Sequence, residues 1–269
     1  MSSARAAATT VTIPAYNAEA TLAEAVGSAL GQTFGDLEVL VVDDCSRTPA
    51  AEVLADVRDP RLRIVRHERN RGLSAARNTA LAATRTPLLS QLDADDTWAP
   101  GYLEAVRPCF DDPEVGLAYT DSQIVRVDGT LEPYLTSHLN HPIDRFPELT
   151  EINPIAALTA TMRTSAIRSV GGYAGWLWGG QDYHLYLKLA AAGWRFAFVD
   201  RPLAFYRWPD DHDGMSSDAR KVVLNDLKLF GAFKLRHPLI PGPGKQALRF
   251  AWKAARMYVP VRSRAARSS

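Results

Sequence analysis

An α/β fold, with a mostly parallel central sheet flanked by helices, is predicted by three features of the sequence. Over the first 110 residues, short β-rich runs alternate with stretches of helical periodicity, which is repeated βαβ. One run, Val39 to Val42, is apolar at every position, as a strand covered on both faces must be. With 269 residues the chain is long enough to bury the large core such a sheet requires.

The elements follow in order. Thr10 to Ile13 reads as the first strand and runs into Pro14-Ala15-Tyr16-Asn17. Leu22, Val26, Ala29 and Leu30 then recur at helical spacing, and Gly31 ends that helix. After the short turn Phe34-Gly35-Asp36, the strand Val39 to Val42 stops at Asp43-Asp44. The strand Leu62 to Val65 precedes Asn70-Arg71-Gly72, the Ala-rich segment Leu73 to Thr84 is a helix, and Leu88 to Leu92 is the next strand. Further on, Gly171-Gly172 through Gly179-Gly180 brackets a loop carrying Trp176 and Trp178. An amphipathic segment, Asp182 to Ala192, follows with Leu185, Leu189 and Ala192 on its apolar face. The stretch from Asp121 to Asn153 has no readable motif, and Pro241-Gly242-Pro243-Gly244 is the clearest break in the chain.

Composition bounds the function. A hydrophobic fraction of 46% and a charged fraction of 23% are those of an ordinary globular protein, which excludes wholesale disorder and a polytopic membrane protein. No run reaches the roughly 18 apolar residues that span a bilayer, and the first ten residues lack the apolar core of a secretory signal. A cytoplasmic protein is therefore expected. Cys45 and Cys109, without a Cys-x-x-Cys partner motif, read as ordinary buried thiols.

The net charge of +1 conceals an asymmetry. After Asp226 there are ten basic residues and no acid, while residues 1–226 have nine more acids than bases. With Phe230, Phe233, Leu248, Phe250, Trp252 and Tyr258 interleaved, this tail is either a wet pair of helices or a peripheral contact for the inner, anionic face of a membrane. No nucleic acid is expected among the partners.

In open parallel sheets, ligands bind beyond the carboxyl ends of the strands. Tyr16 and Asn17 lie there after the first strand, Asp43 and Asp44 after the second, and Asp93, Asp95 and Asp96 after the strand Leu88 to Leu92. Five carboxylates converging on one rim repel one another unless basic groups or a divalent cation join them, and an oxygen-only ligand set favours Mg²⁺ or Mn²⁺ over zinc.

Five blocks in order carry a family resemblance: Val11-Thr12-Ile13-Pro14-Ala15-Tyr16-Asn17, Gln32-Thr33-Phe34, Val41-Val42-Asp43-Asp44-Cys45-Ser46, Asn70-Arg71-Gly72-Leu73-Ser74-Ala75-Ala76-Arg77-Asn78 and Leu92-Asp93-Ala94-Asp95-Asp96. Together with Gly180-Gln181-Asp182 and Pro202-Leu203-Ala204-Phe205-Tyr206-Arg207, they resemble the ordered signatures of family 2 glycosyltransferases. The resemblance covers residues 9–217, with a nucleotide-binding half at 9–110 and an acceptor-binding half at 111–217. It leaves 218–269 as a basic helical extension. It implies a GT-A fold that binds a nucleotide-activated sugar through Mn²⁺ or Mg²⁺ and transfers the sugar, with inversion, to a hydroxyl of a glycan, lipid-linked or small-molecule acceptor.

The resemblance also implies roles for residues. Pro14, Tyr16 and Asn17 line the nucleotide, Tyr16 offering a flat face to a pyrimidine and Asp44 accepting its N3 hydrogen, which makes UDP the first donor choice and dTDP the second. Asp93 bonds the ribose, Arg71 and Arg77 the phosphates, and Asp95 the metal, with His212 as a further metal contact or a merely solvated side chain. Asp182 is the general base that takes the acceptor's proton, the competing reading being a helix N-cap. Gln181 stands where the family usually has Glu. Trp176 and Trp178 are a stacking platform for the acceptor or core residues, and His184 is a second possible ligand or faces water. A nucleotidyltransferase would need a glycine-rich phosphate loop after the first strand, where this chain has Pro14-Ala15-Tyr16-Asn17. A non-catalytic sugar-nucleotide binder is the other alternative.

Overall fold

The computed structural model describes residues 8–134, 149, 153–208 and 219–238. Nine strands, β1 (Thr9–Ala15), β2 (Leu37–Asp43), β3 (Leu62–Arg66), β4 (Leu88–Gln91), β5 (Thr97–Trp98), β6 (Val115–Val125), β7 (Leu131–Pro133), β8 (Ala160–Arg163) and β9 (Arg195–Arg207), form a single sheet. Its order is β3-β2-β1-β4-β8-β6-β9-β5, with β7 paired to β6. The helices are α1 (Leu22–Leu30), α2 (Ala50–Val53), α3 (Leu73–Ala83), α4 (Tyr102–Val106), α5 (Thr164–Ser169), α6 (Gln181–Ala191) and α7 (Ala219–Arg236).

The first half is the predicted βαβ array. β2 alternates between two helix layers: Val39 and Val41 join Val11, Ile13 and the α1 residues Leu22, Ala25, Val26 and Ala29, while Leu40 and Val42 meet Ala76 and Ala80 of α3 on the opposite face. Each Val or Leu buried this completely stabilises by about 1.5–3 kcal/mol relative to exposure, which is why the continuous apolar run forms a central strand.

Register places the site. β1, β2 and β3 are parallel and end in one row, Ala15 opposite Asp43 and Asp43 opposite Arg66. The next residues, Tyr16, Asp44 and His67, therefore leave the sheet side by side. β4 continues from the other side of β1, with Leu92 N–H donating to Thr12 O, and delivers Asp93 to the same rim. Between β1 and β4 the strand order reverses, the crevice where open α/β sheets bind ligands.

The second half is mixed. β8 runs antiparallel to β4 and β6, β9 runs parallel to β6 with register shifts near Thr120 and Asp121, and β5 closes the edge against β9. Leu185, Leu187 and Leu189 of α6 pack with Leu229 and Phe233 of α7 in a second core cluster. Gly172 is a position only glycine fills: its φ is +67°, and a Cβ would stand 2.7 Å from Asn78 Oδ1. That close approach lets the Asn78 side chain accept from Tyr173 N–H and donate to Tyr173 O, fixing the residue that lies beneath the site.

The two cysteines are half-buried instead of buried, Cys109 packing against the edge of the first core cluster. Cys45 occupies the left-handed region on the loop after β2. Among the described residues, no helix is long and apolar enough to cross a membrane. The tail beyond residue 238 lies outside the described residues.

Candidate active site

At the nucleotide end, backbone and side chains lock three loops together. Asp44 N–H donates to Ala15 O at 2.8 Å, and Asn17, held at a φ of +51°, donates its N–H to Ser46 Oγ and accepts from Arg47 N–H. Tyr16 projects from this junction and is exposed, while Pro14 beneath it is half-buried. Asp44 is buried, and its carboxylate organises the site: Oδ1 accepts from Arg71 N–H at 2.9 Å and Oδ2 from Gly72 N–H at 2.7 Å. His67 Nδ1 lies 2.6 Å from Asp44 Oδ1, and because an ionised carboxylate only accepts, that nitrogen carries the hydrogen. His67 Nε2 in turn meets Thr79 Oγ1 at 2.9 Å. The Arg71 side chain itself is exposed at the mouth.

The five carboxylates do not form one cluster. Asp43 is fully buried and turned into its own loop, accepting from Ser46 N–H, Ala50 N–H and the Arg66 guanidinium. Burial alone would raise its pKa, yet the Ala50 and Ser46 donors and Arg66 hold it below the usual carboxylate value. Asp96 is also buried, its Oδ1 accepting from Arg207 N–H at 2.8 Å and its Oδ2 lacking a partner. Burial, then the charges of Asp95 and Asp93, push its carboxyl well above the ordinary range. Asp93 and Asp95 remain at the rim. Asp95 is exposed, but the protein around it desolvates it, and with the charge of Asp93 this raises its pKa. Among the described residues, no three His, Cys, Asp or Glu side chains converge as a complete metal cage.

Arg77 lies beneath this rim. The resemblance puts its guanidinium on the donor's phosphates; in the structure the side chain is 4% exposed and donates to Asp93 Oδ1 at 2.9 Å. Its Cζ sits 5.8 Å from the centre of the Tyr173 ring, and Tyr173 Oη donates to Gln91 Oε1 at 2.9 Å. Burial opposes the guanidinium's charge, but Asp93 first and Asp182 second hold its pKa above the ordinary value. Arg77 Nε, Gln91 Nε2 and Tyr186 Oη are buried without hydrogen-bond partners.

Asp182 reaches the same array from the second half of the sheet. Gly180, in the left-handed conformation, occupies the cap of α6 and no side chain caps it, so Asp182 stands in the first turn and is not the N-cap. It is half-buried, and its negative charge contributes to the raised pKa values of Tyr134, Tyr173 and Tyr186. The helix thus carries a carboxylate from the second half of the chain towards the arginine that pairs with Asp93 of the first half.

Trp176 and Trp178 precede this helix and are 52% and 45% exposed, so they are surface residues and not core. His184 is buried and does not face water. It packs edge-on against Trp176, with ring centroids 5.4 Å apart, and burial followed by the charges of Lys188 and Arg236 lowers its pKa to about 4. His212 lies outside the described residues. Reading the sequence missed His67, Gln91, Tyr173 and Tyr186. His67 alone left a signal there, as the first residue after a strand that ends level with Asp43.

The family described as Glycosyl transferase family 2 matches residues 10–171. The succinoglycan biosynthesis protein ExoO of Rhizobium meliloti (strain 1021) is 35% identical over 142 residues, 52% of this chain and 40% of that protein, so the chain spans less than half the length of that relative. Among solved structures, the mannosyltransferase PcManGT from Pyrobaculum calidifontis, in complex with GDP-Man and Mn²⁺, aligns with a TM-score of 0.65 at 21% identity, covering 92% of this chain and 70% of that one. S. aureus TarS 1-349 in complex with UDP-GlcNAc aligns with a TM-score of 0.61 at 19% identity, covering 81% and 66%. At these identities the likeness is one of fold, and that fold is GT-A. With its family blocks seated on the ends of β1, β2 and β4 and on α3, the chain belongs to glycosyltransferase family 2.

Proposed function

We propose that the chain is a metal-dependent, inverting glycosyltransferase that moves a sugar from a nucleotide donor, UDP-linked first and dTDP-linked second, to a hydroxyl of a glycan, lipid-linked or small-molecule acceptor. The observation that carries the proposal is the buried Arg77, paired with Asp93 and acted on by the charge of Asp182, one carboxylate from each half of the sheet. Two solved relatives in fold are complexes with GDP-Man and with UDP-GlcNAc, which supports a nucleotide-sugar donor.

Each residue has work that its surroundings fit. Tyr16, exposed over the crevice, stacks on the base. Asp44 Oδ1 already has two partners, whereas Oδ2 has one, so Oδ2 keeps a lone pair for a ring N–H of the base. Asp93 bonds the ribose, and Arg71, exposed at the mouth, faces the phosphates. Asp182 takes the acceptor hydroxyl's proton as that oxygen bonds the anomeric carbon; the bond to the diphosphate breaks and its electron pair leaves on the phosphate oxygen. Trp176 and Trp178 stack on the acceptor.

The residues at the rim fit a hard divalent cation. Desolvation first and the charge of Asp93 second raise the pKa of Asp95, and Asp96 Oδ2 is buried without a partner, so positive charge is wanted there. A carboxylate pair at the rim without a full protein cage suits Mg²⁺ or Mn²⁺. Asp95, beside Asp93, would hold the ion, which would supply positive charge against the charge gathering on the departing diphosphate.

A thermal-shift panel of UDP-, dTDP- and GDP-sugars, each with and without Mn²⁺, tests this. At a donor concentration of 100 Kd, binding stabilises by about 2.7 kcal/mol, so the melting temperature is expected to rise by roughly 5–11 °C in a chain of this size. Asp95→Ala is expected to remove the metal-dependent part of that rise. No shift with any donor overturns the donor site, and an equal shift without metal overturns the metal dependence.

A further inference from the structure

A carboxylate accepts about four hydrogen bonds, two at each oxygen, and at Asp44 three of those places are filled. Oδ1 accepts from His67 Nδ1–H at 2.6 Å and from Arg71 N–H at 2.9 Å, and Oδ2 accepts from Gly72 N–H at 2.7 Å. Arg71 and Gly72 contribute main-chain groups, which a change of side chain does not remove. His67 is the one side chain of the three, so it decides whether one place or two stays open.

The histidine is held too firmly to give way. Its own N–H donates to Asp43 O at 2.8 Å, which extends the parallel pairing of β3 with β2 by one residue. Its Nε2 lies 2.9 Å from Thr79 Oγ1 on α3. The residue is only 6% exposed, so turning the ring would break two hydrogen bonds where water does not replace them.

We infer that His67 is a positioning residue that sets the base of the donor: by filling Asp44 Oδ1 it admits the single ring N–H of uracil or thymine and rejects guanine. The inference rests on the reading that Asp44 faces the base. Uracil and thymine bring one ring donor, N3–H, and Oδ2 has one place for it. Guanine brings two donors side by side, N1–H and the exocyclic amine, and a carboxylate takes both only with one oxygen for each. Here the amine meets an oxygen already shared by His67 and Arg71, so hydrogens oppose hydrogens and a donor enters the site unpaired.

The test is titration calorimetry of the full chain, with Mn²⁺ present, against UDP, GDP and inosine diphosphate, which keeps guanine's N1–H and lacks its amine. The parent is expected to bind UDP and inosine diphosphate each roughly fivefold or more tighter than GDP, the cost of one unpaired donor. His67→Gln carries its amide where Nε2 stands and leaves Oδ1 with a free place, whereas His67→Asn puts an N–H where Nδ1 stands. In His67→Gln, GDP is expected to bind roughly fivefold or more tighter than in the parent and at least as tightly as inosine diphosphate, with UDP little changed. His67→Asn is expected to keep the parent's order. A histidine that only supports the fold would not, on removal, make any nucleotide bind more tightly. Equal binding of GDP and inosine diphosphate by the parent overturns the inference without any variant having to fold. So does a His67→Gln protein that keeps the parent's order, or a His67→Asn protein that loses it; in each of these cases the donor site stands. A parent that binds none of the three nucleotides overturns the donor site itself, and this inference falls with it.

Discussion

Asp182→Asn is expected to lower kcat by roughly 10²–10⁴-fold, the contribution of a well-placed general base, while the donor's melting shift stays that of the parent. The substitution keeps the shape of the side chain and removes only its capacity to take a proton. Helix α6 does not depend on it, because Gly180 occupies the cap and the helix is anchored by Leu185, Leu187 and Leu189 in the core. On the proposed roles, with the acceptor held by Trp176 and Trp178 and the donor by other residues, the loss is expected in kcat with KM for the donor unchanged. Steady-state turnover with saturating metal and donor measures it. Retention of near-parental turnover assigns the proton to another group and removes Asp182 from the chemistry; a fall in kcat accompanied by loss of the donor shift marks it as structural.

The first half of this site was legible in the sequence for a physical reason. Strands buried on both faces must be apolar throughout, so Val39 to Val42 announces itself, and the first polar residues after such a run, Asp43 and Asp44, mark the carboxyl edge of the sheet where ligands bind. What the run does not reveal is which of two adjacent carboxylates turns inward. Alternation along the strand sends Asp43 down to the Ser46 and Ala50 N–H groups and leaves Asp44 to gather Arg71, Gly72 and His67. Five apparently equivalent acids thus separate into two structural ones, Asp43 and Asp96, one organiser of the loop, and two at the rim.

The second half was less legible because its strands break the rule. β6 carries Thr120, Asp121 and Ser122 in its middle, all buried, so its pattern reads as loop although it is a long central strand of that half. Its partner β9, 13 residues against 11, pairs along it only through register shifts, which erase any simple alternation. Trp176 and Trp178 were ambiguous for the opposite reason: large aromatics belong to core and to binding surfaces alike, and contacts such as that of Asn225, forty-six residues or more away, hold their loop at the surface. Arg77 stood in a recognised block, yet nothing in the sequence says that α3 faces it inward beneath the rim.

That placement of Arg77 leads to the second large effect, which is on stability. Asp93→Ala is expected to destabilise the fold by about 3–5 kcal/mol, because it leaves a guanidinium that is 4% exposed without its ion-pair partner. Two features move the value towards the lower end: the Asp93 side chain is 28% exposed, so water already weakens the pair, and the charge of Asp182 continues to act on Arg77. Arg77→Met is expected to cost less, since the carboxylate it abandons reaches solvent and the methionine still packs against Tyr173. The double variant separates pairing from packing. If the ion pair carries the loss, Asp93→Ala in the Arg77→Met background does little further harm, and the coupling read from urea unfolding approaches the full cost of Asp93→Ala alone. Additive losses mean instead that each side chain is held by its own neighbours. The outcome bears on function as well as stability. A coupled pair makes Arg77 the fixed charge that orients Asp93 towards the donor while feeling Asp182 from the acceptor side, so one buried residue joins the two halves of the site. Uncoupled residues return the guanidinium to the reading its block resemblance implies, a phosphate ligand that must first be released from beneath the rim.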